Sequence, residues 1–415
     1  MQSFHDTDFS EFSQKIFDDV RAMSAGERGV SRLAYSKEES AVMDYLQGIG
    51  ESLGLEIERD IAGNLWMTMA GKDRSLPVLV SGSHPDSVPE GGNFDGLAGI
   101  VAALCAVKYM RDAGIEPEQD IRVVCWRSEE VGLIGSKAVL GTLSEKDIGH
   151  SQRKDGRTVR ECMIDCGIDP DALVQGKRYL DTDKMAAYLE LHIEQGPRLD
   201  ASEVRVGVVT GIRGNAIHRV VRCIGETAHS GAVDFEFRHD AVMATARLFN
   251  RMYEAWTAWL AQGHDLVYTN GVIKTPDSQR FNIIAGEVTF SMDIRTLSVK
   301  TRDAFYALFL DECRKIEAEH GVKFEFDPVF YIEPSVSDSG LVEHLVKSAE
   351  KADVPAIKMP SGAGHDAGDV GLAGVPMAMV FVANQNGSHN WQEAMKMEDF
   401  LAGVKVLTQA IVDYR

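Results

Sequence analysis

The stretch "LPVLVSGSHPDSVPEGGNFDGLAGIVAALCAVKYM", Leu76 to Met110, decides the reading of this chain. An apolar run of strand length opens it, and a long apolar run of helical length closes it. Between them, Ser81–Gly96 holds His84, Asp86 and Asp95 among four glycines. Working outward, the rhythm repeats. "IRVVCW" precedes a helical segment ending near Gly141, "AAYLELHIEQGP" reads as a strand, and "VPMAMVFV" is a buried strand before the closing helix "EDFLAGVKVLTQAIVDY". Strands alternating with helices predict an α/β unit with a mainly parallel sheet covered by helices on both faces.

The amino-terminal part reads as two amphipathic helices. Phe12, Ile16, Val20 and Met23 form the stripe of the first. The second starts at Ser36, with Glu39 completing a capping box, and ends at Gly54. Residues 142–185 are polar and irregular, with "SQRKDGRT" as a loop. From Gly214 the character changes. Strands "NAIHRVVRCIG", "HDLVYTNGVI", "EVTFSMDIR" and "VKFEFDPVF" alternate with the helices "FRHDAVMATARLFNRMYEAWTAWL" and "TRDAFYALFLDECRKIEAEHG". Two helices on one face of an antiparallel sheet make an inserted α+β domain. The expected boundaries are 1–213 and 331–415 for the interrupted first domain and 214–330 for the insert, with hinges near 211–214 and 331–334.

Composition narrows the function. With 63 acidic against 43 basic residues the net charge is −20, and no Lys/Arg-rich run could neutralise phosphates, so nucleic acid is excluded as a partner. No apolar run reaches membrane-spanning length, and the acidic, polar start does not read as a signal peptide. A soluble cytoplasmic protein is the expectation. Six cysteines, including Cys162 and Cys166, lie scattered without a second Cys or His pair at zinc-finger spacing, and read as reduced thiols.

The polar residues that matter cluster at strand ends. His84 and Asp86 follow "PVLVSGS", Glu129 and Glu130 follow "RVVCWRS", His192 ends "AAYLELH", and His389 follows "VPMAMVFVANQNGS". In open α/β sheets ligands bind beyond the carboxyl ends of the strands. One histidine at a strand end is ordinarily a hydrogen-bonded core or surface group; several converging on one edge point to a site. Imidazoles and carboxylates without thiolates suit zinc, manganese, cobalt or nickel. Three histidines and two carboxylates allow one carboxylate to bridge two ions and leave open positions for water. Asp86 is placed to hydrogen-bond the His84 imidazole, and Glu129 to act as general base.

"GSHPDSVPEGGNFDG", "WRSEE", "LHIEQGP", "AHSG", "RFNIIAGEVTFSMDIR", "PSGAGHDAG" and "NGSHN" resemble, in order and over nearly the whole chain, the motifs of the dinuclear-metal M20 amidohydrolases. The similar branch holds N-carbamoyl-L-amino-acid hydrolases and allantoate amidohydrolases. The resemblance implies two divalent ions per subunit, with Asp95 bridging, His84 and His192 completing one site, and Glu130 and His389 the other. It makes Glu129 the base and the insert a lid and homodimerisation domain, whose His229, Asn282 and Arg295 face substrate. Gln195 and His365 would line the pocket, and His229 would reach the partner's active site. A planar guanidinium such as Arg295 also suits a carboxylate clamp, or alternatively an ion pair at a strand end.

Three segments depart from the family's pattern. "EEVGLIGS" is shorter than usual after the paired glutamates, "HSGAVDFEF" replaces the common "HAGTTPM", and Gly368 stands where a larger polar residue is common. The implied reaction is hydrolysis of an N-carbamoyl-L-amino acid to the amino acid, carbon dioxide and ammonia. Alternatives are allantoate or a related ureido compound, and a dipeptide or N-acyl amino acid. A dinucleotide-binding reading of "GGNFDGLAG" fails because the GxGxxG spacing is missing, and a non-catalytic metal holder would have no use for Glu129.

Overall fold

The computed structural model of the protein describes residues 5–151, 155–202 and 204–414. Residues 152–154 of the expected "SQRKDGRT" loop lie outside them. The chain divides into two compact units, one built from 1–211 and 336–415, the other from 212–335.

In the first unit, Val78–Ser83 pairs in parallel with Ile121–Cys125 on one side and Met185–Ile193 on the other, and Met377–Val382 continues the parallel run beside Met185–Ile193. Antiparallel strands flank this centre: Leu65–Met69 then Glu56–Arg59 at one end, Val206–Ile212 at the other. The sheet is thus mixed α/β and parallel where it carries the loops of interest. Alternate residues explain both faces. Leu65, Met67, Leu79, Val123, Leu189, Leu191, Val208 and Val380 share one core with helices Asp6–Ser24, Lys37–Ser52, Leu97–Asp112, Ser339–Lys351 and Met397–Asp413. The short helices Ile134–Leu140 and Asp366–Leu372 pack together, the latter also against Met185–Ile193 and Met377–Val382.

Leu97–Asp112 is buried nearly all round, as a helix sandwiched between the sheet and other helices must be. Gly99 lets it approach closely, since a Cβ there would stand 2.2 Å from the Leu191 carbonyl oxygen.

The second unit is an antiparallel sheet with helices Ala241–Ala261 and Val299–His320 packed on it. The long strands Gly214–Ile224 and Glu287–Thr296 form its centre. Its core gathers Val221, Leu248, Phe290, Met292, Phe305 and Phe309. Along Glu287–Thr296 burial alternates strictly, so Thr289, Ser291, Asp293 and Arg295 occupy the face away from that core.

Several local expectations are corrected. Among its described residues, the polar stretch after Gly141 contains three short α-helices, Glu145–Ile148, Val159–Asp165 and Pro170–Leu173, and a 3-10 turn at Thr182–Lys184. Ser144 with Asp147, and Thr158 with Glu161, form capping boxes, and Asp169 caps the third ahead of Pro170, signals outweighing the polar composition. The first helix buries Phe9, Ile16, Phe17 and Val20, which rotates the stripe away from Met23. Ser36 caps the second helix through the Glu39 N–H, but the Glu39 side chain turns to Arg127 and Ser128 instead of closing a box. "HDLVYTNGVI" is split into Val267–Thr269 and Ile273–Lys274. "VKFEFDPVF" breaks into Lys323–Phe326 and Phe330–Ile332, because Pro328 between them has no N–H for the ladder. The six cysteines are free, five of them buried.

Candidate metal centre and its supports

Four loops at the carboxyl ends of the parallel strands build the site. His84 immediately follows Val78–Ser83, and Asp95 closes the same loop just ahead of Leu97–Asp112. Gly96 is what allows the two to meet: its φ is +66°, and a Cβ there would stand 2.3 Å from the His84 ring. Glu129 and Glu130 follow Ile121–Cys125 through Ser128, whose φ of 59° is rare for a residue with a side chain. His192 lies within Met185–Ile193. His389 comes from the loop after Met377–Val382 and, like Gln195, has positive φ. Three non-glycine residues held in this conformation around one site mark backbone strain fixed by the surrounding structure.

The side chains converge on Asp95. Its Oδ1 is 3.2 Å from His192 Nε2 and 3.7 Å from His84 Nε2; its Oδ2 is 3.5 Å from His389 Nε2, which stands 3.2 Å from Glu130 Oε2. Two ligand sets result, His84–Asp95–His192 and Asp95–Glu130–His389, each with donor atoms within 4.8 Å of one another and Asp95 common to both. A third grouping, Glu190–His192–His365, shares His192 with the first.

Electrostatics and satisfaction both favour a cation. Among the described residues, buried Glu130 Oε1 and Gln195 Oε1 have no hydrogen-bond partner. Burial, then Glu130 among other carboxylates, pushes the Glu129 carboxyl well above the usual range, against the pull of His84. Burial works against charge on His84, yet Glu129, Asp86 and Asp95 hold the imidazole well above its ordinary value. A hydrogen bond to Glu130 lifts His389 to about 9. Carboxylates and imidazoles crowded together, with Glu129 and Glu130 pushed up and Asp95 held down by the histidines, are a donor set suited to divalent cations, so the residues fit metal ions.

Asp86 is the hub of the support. Its Oδ1 is 3.3 Å from His84 Nδ1 and accepts the Glu129 N–H at 3.0 Å, while its Oδ2 accepts the Glu130 N–H at 3.1 Å. The Asp86 backbone carbonyl also lies 3.3 Å from His84 Nδ1, so Asp86 orients the imidazole through both groups while its carboxylate registers the base-bearing loop against it. Glu129 Oε2 lies 3.8 Å from His84 Nε2. Gln195 Nε2 donates to Asp95 Oδ2 at 2.9 Å. The buried ring of His365 lies 4.5 Å from that of His192, with its Nε2 3.0 Å from Ser361 Oγ, and burial holds it well below the ordinary histidine value.

In the second unit, exposed His229 lies in a two-residue pairing opposite Ile283, and the Ser230 N–H bonds the carbonyl of exposed Asn282. Arg295 Nε and Nη2 both engage Asp293 Oδ2 at 2.8 Å, the strand-end ion pair foreseen as its alternative role.

Sequence reasoning missed several supports. Ser388 Oγ contacts both Asp95 Oδ2 and Glu393 Oε2, and Glu393 Oε1 accepts the Phe94 and Asp95 N–H groups. Burial and then Asp95 push the Glu393 carboxyl up to about 7. Behind Ser128, Glu39 receives the Ser128 N–H at 2.9 Å and pairs with Arg127 at 2.6 Å in a buried salt bridge. Its place next to His389 in "NGSHN" offered a signal for Ser388; the sequence singled out Glu39 only as a helix-capping residue, and Glu393 not at all.

A family model described as peptidase family M20/M25/M40 matches residues 80–413. The chain is 32% identical over 394 residues to an N-carbamoyl-L-amino acid amidohydrolase of Geobacillus stearothermophilus, covering 92% of this chain and 93% of the relative. It is 30% identical to the allantoate amidohydrolase of Escherichia coli strain K12, covering 91% of each. A solved amidase of the hydantoinase/carbamoylase family from Burkholderia multivorans superposes with a TM-score of 0.87 at 29% identity, covering 97% of both chains.

Proposed function

The chain belongs to peptidase family M20/M25/M40 and is a hydrolytic enzyme of the kind that cleaves linear amides, and on that premise we propose that it hydrolyses the ureido group of an N-carbamoyl-L-amino acid. The products are the L-amino acid, carbon dioxide and ammonia. The observation that carries this reading is Asp95, shared by two ligand sets, with the Glu129 carboxyl beside them, 3.8 Å from His84.

The set His84–Asp95–His192 would hold one divalent ion and Asp95–Glu130–His389 a second, zinc, manganese, cobalt or nickel by donor chemistry. Bound, such ions supply Lewis acidity to the carbonyl and make water a better nucleophile at neutral pH. Glu129 takes the proton of the attacking water as its oxygen bonds to the ureido carbon, then delivers it to the amino-acid nitrogen as the C–N bond breaks. Asp86 keeps that carboxyl and His84 in register throughout. Gln195 and His365 are assigned to the pocket. His229, Asn282 and Arg295 are assigned to the substrate's oxyanion and carboxylate; Arg295 would exchange Asp293 for the substrate carboxylate. The second unit is assigned to homodimerisation.

Likeness to the allantoate amidohydrolase supports a second reading, in which allantoate is the substrate. The test is ammonia release by protein loaded with manganese, cobalt, zinc or nickel, across N-carbamoyl-L-amino acids and allantoate, with amine release followed for N-acetyl amino acids and dipeptides. Metal-dependent turnover greatest on N-carbamoyl compounds, falling about 10²–10⁴-fold in Glu129→Gln with metal uptake retained, supports the reading. Greater turnover of allantoate supports the second, and activity confined to dipeptides or N-acetyl compounds overturns both.

A further inference from the structure

Arg32 lies outside every motif singled out above, in the segment between the first two helices, and its residue is 0% exposed. Burial of a guanidinium is ordinarily tolerated through a carboxylate partner. Here, among the described residues, no carboxylate lies at salt-bridge distance, and its hydrogen-bond partners are neutral. Nε donates to the Pro85 carbonyl at 2.6 Å, Nη1 to Asn93 Oδ1 at 2.9 Å and Ser24 Oγ at 3.2 Å, and Nη2 to the Asn93 carbonyl at 3.4 Å.

Those acceptors are the two limbs of one loop. Pro85 is bonded to His84, and Asn93 is two residues from Asp95, so the fork spans the loop between two candidate ligands. The backbone repeats the tie. Arg32 N donates to Ser87 Oγ at 2.9 Å, Ser87 N donates to the Arg32 carbonyl at 3.0 Å, and Val30 pairs with Gly91. The charge is offset at longer range: burial lowers the Arg32 pKa to about 10, opposed by Asp86, Glu393, Asp95 and Glu130, the carboxylates of the centre and its supports.

We propose that Arg32 is a positioning residue of the metal centre, whose guanidinium fork ties Pro85 to Asn93 and thereby fixes the spacing of His84 and Asp95 before an ion is bound. The proposal rests on the metal reading given above. A lysine keeps the charge but has one nitrogen, and cannot span both limbs. Geometry and charge are therefore separable.

The experiment is cobalt(II) titration of metal-free wild type, Arg32→Lys and Arg32→Met, followed by calorimetry and by the visible ligand-field bands, with far-UV circular dichroism as the check on folding. Wild type is expected to bind cobalt, and both variants to bind it about 10- to 100-fold more weakly with altered bands. Should Arg32→Met fail to fold, Asn93→Ala cuts the same tie from the far side and carries the test with the same expected loss. Wild-type affinity and bands in Arg32→Lys overturn the positioning role while leaving the metal reading intact. Absence of cobalt binding by wild type overturns both.

Discussion

The Asp86 carboxylate lies 3.3 Å from His84 and at the same time accepts the backbone N–H of Glu129 at 3.0 Å. A ligand loop and a base loop from two adjacent parallel strands are thus referenced to one side chain. Ligand affinity and base position are thereby coupled.

Asp86→Asn tests this coupling. An asparagine offers one acceptor oxygen where an imidazole and two backbone N–H groups meet. Metal affinity should fall about 10- to 100-fold, and turnover should stay below wild type even at saturating metal. Calorimetric metal titration beside steady-state kinetics measures both; a loss fully restored by excess metal would limit Asp86 to the ligand.

Arg127→Met probes the layer beneath. It leaves Glu39 buried without its counter-charge, while Ser128, held at positive φ, still depends on Glu39. Stability should drop by about 3–5 kcal/mol, measured as a fall in the urea midpoint. Pairing the change with Glu39→Gln should recover part of the loss, since the stranded charge is removed.

Asp369 gives the pH dependence. On the helix Asp366–Leu372, burial raises its carboxyl to about 6 against the opposing pull of Lys137, and its Oδ2 has no hydrogen-bond partner among the described residues. The folded state therefore holds this proton more tightly than the unfolded chain, so the contribution is favourable at low pH and is lost as pH rises from about 4 through about 6. Asp369→Asn should be more stable than wild type at pH 8, by on the order of 2–3 kcal/mol, and the gap should close by pH 4. Urea melts of the two proteins at both pH values decide it.

The parallel centre of the sheet and the residues beyond its strand ends were legible because both are local signals: apolar runs of strand length followed within a few residues by His, Asp and Glu. Membership of the M20 family was equally legible, since its motifs are contiguous. The supports were not, because each joins positions far apart in sequence. Glu393 reaches Phe94 and Asp95, Arg32 reaches Asn93, and Glu39 reaches Arg127. A lone arginine between helices, or a glutamate in a first helical turn or a loop, looks like surface until the fold buries it. The short helices after Gly141 escaped for another reason: their stability lies in caps and not in apolar periodicity.

The strand Met377–Val382 lies in the sheet between Met185–Ile193 and Val206–Ile212, both made much earlier in the chain. A polypeptide leaving the ribosome therefore completes its second unit while the first still has a vacant slot at its centre, bordered by two unpaired edges. Until residue 382 has emerged, those edges are open to pairing with other nascent chains. His389 arrives only after that slot is filled, so the second ligand set cannot be assembled before the sheet is closed, and truncation ahead of this strand should yield an aggregating product instead of a smaller folded enzyme.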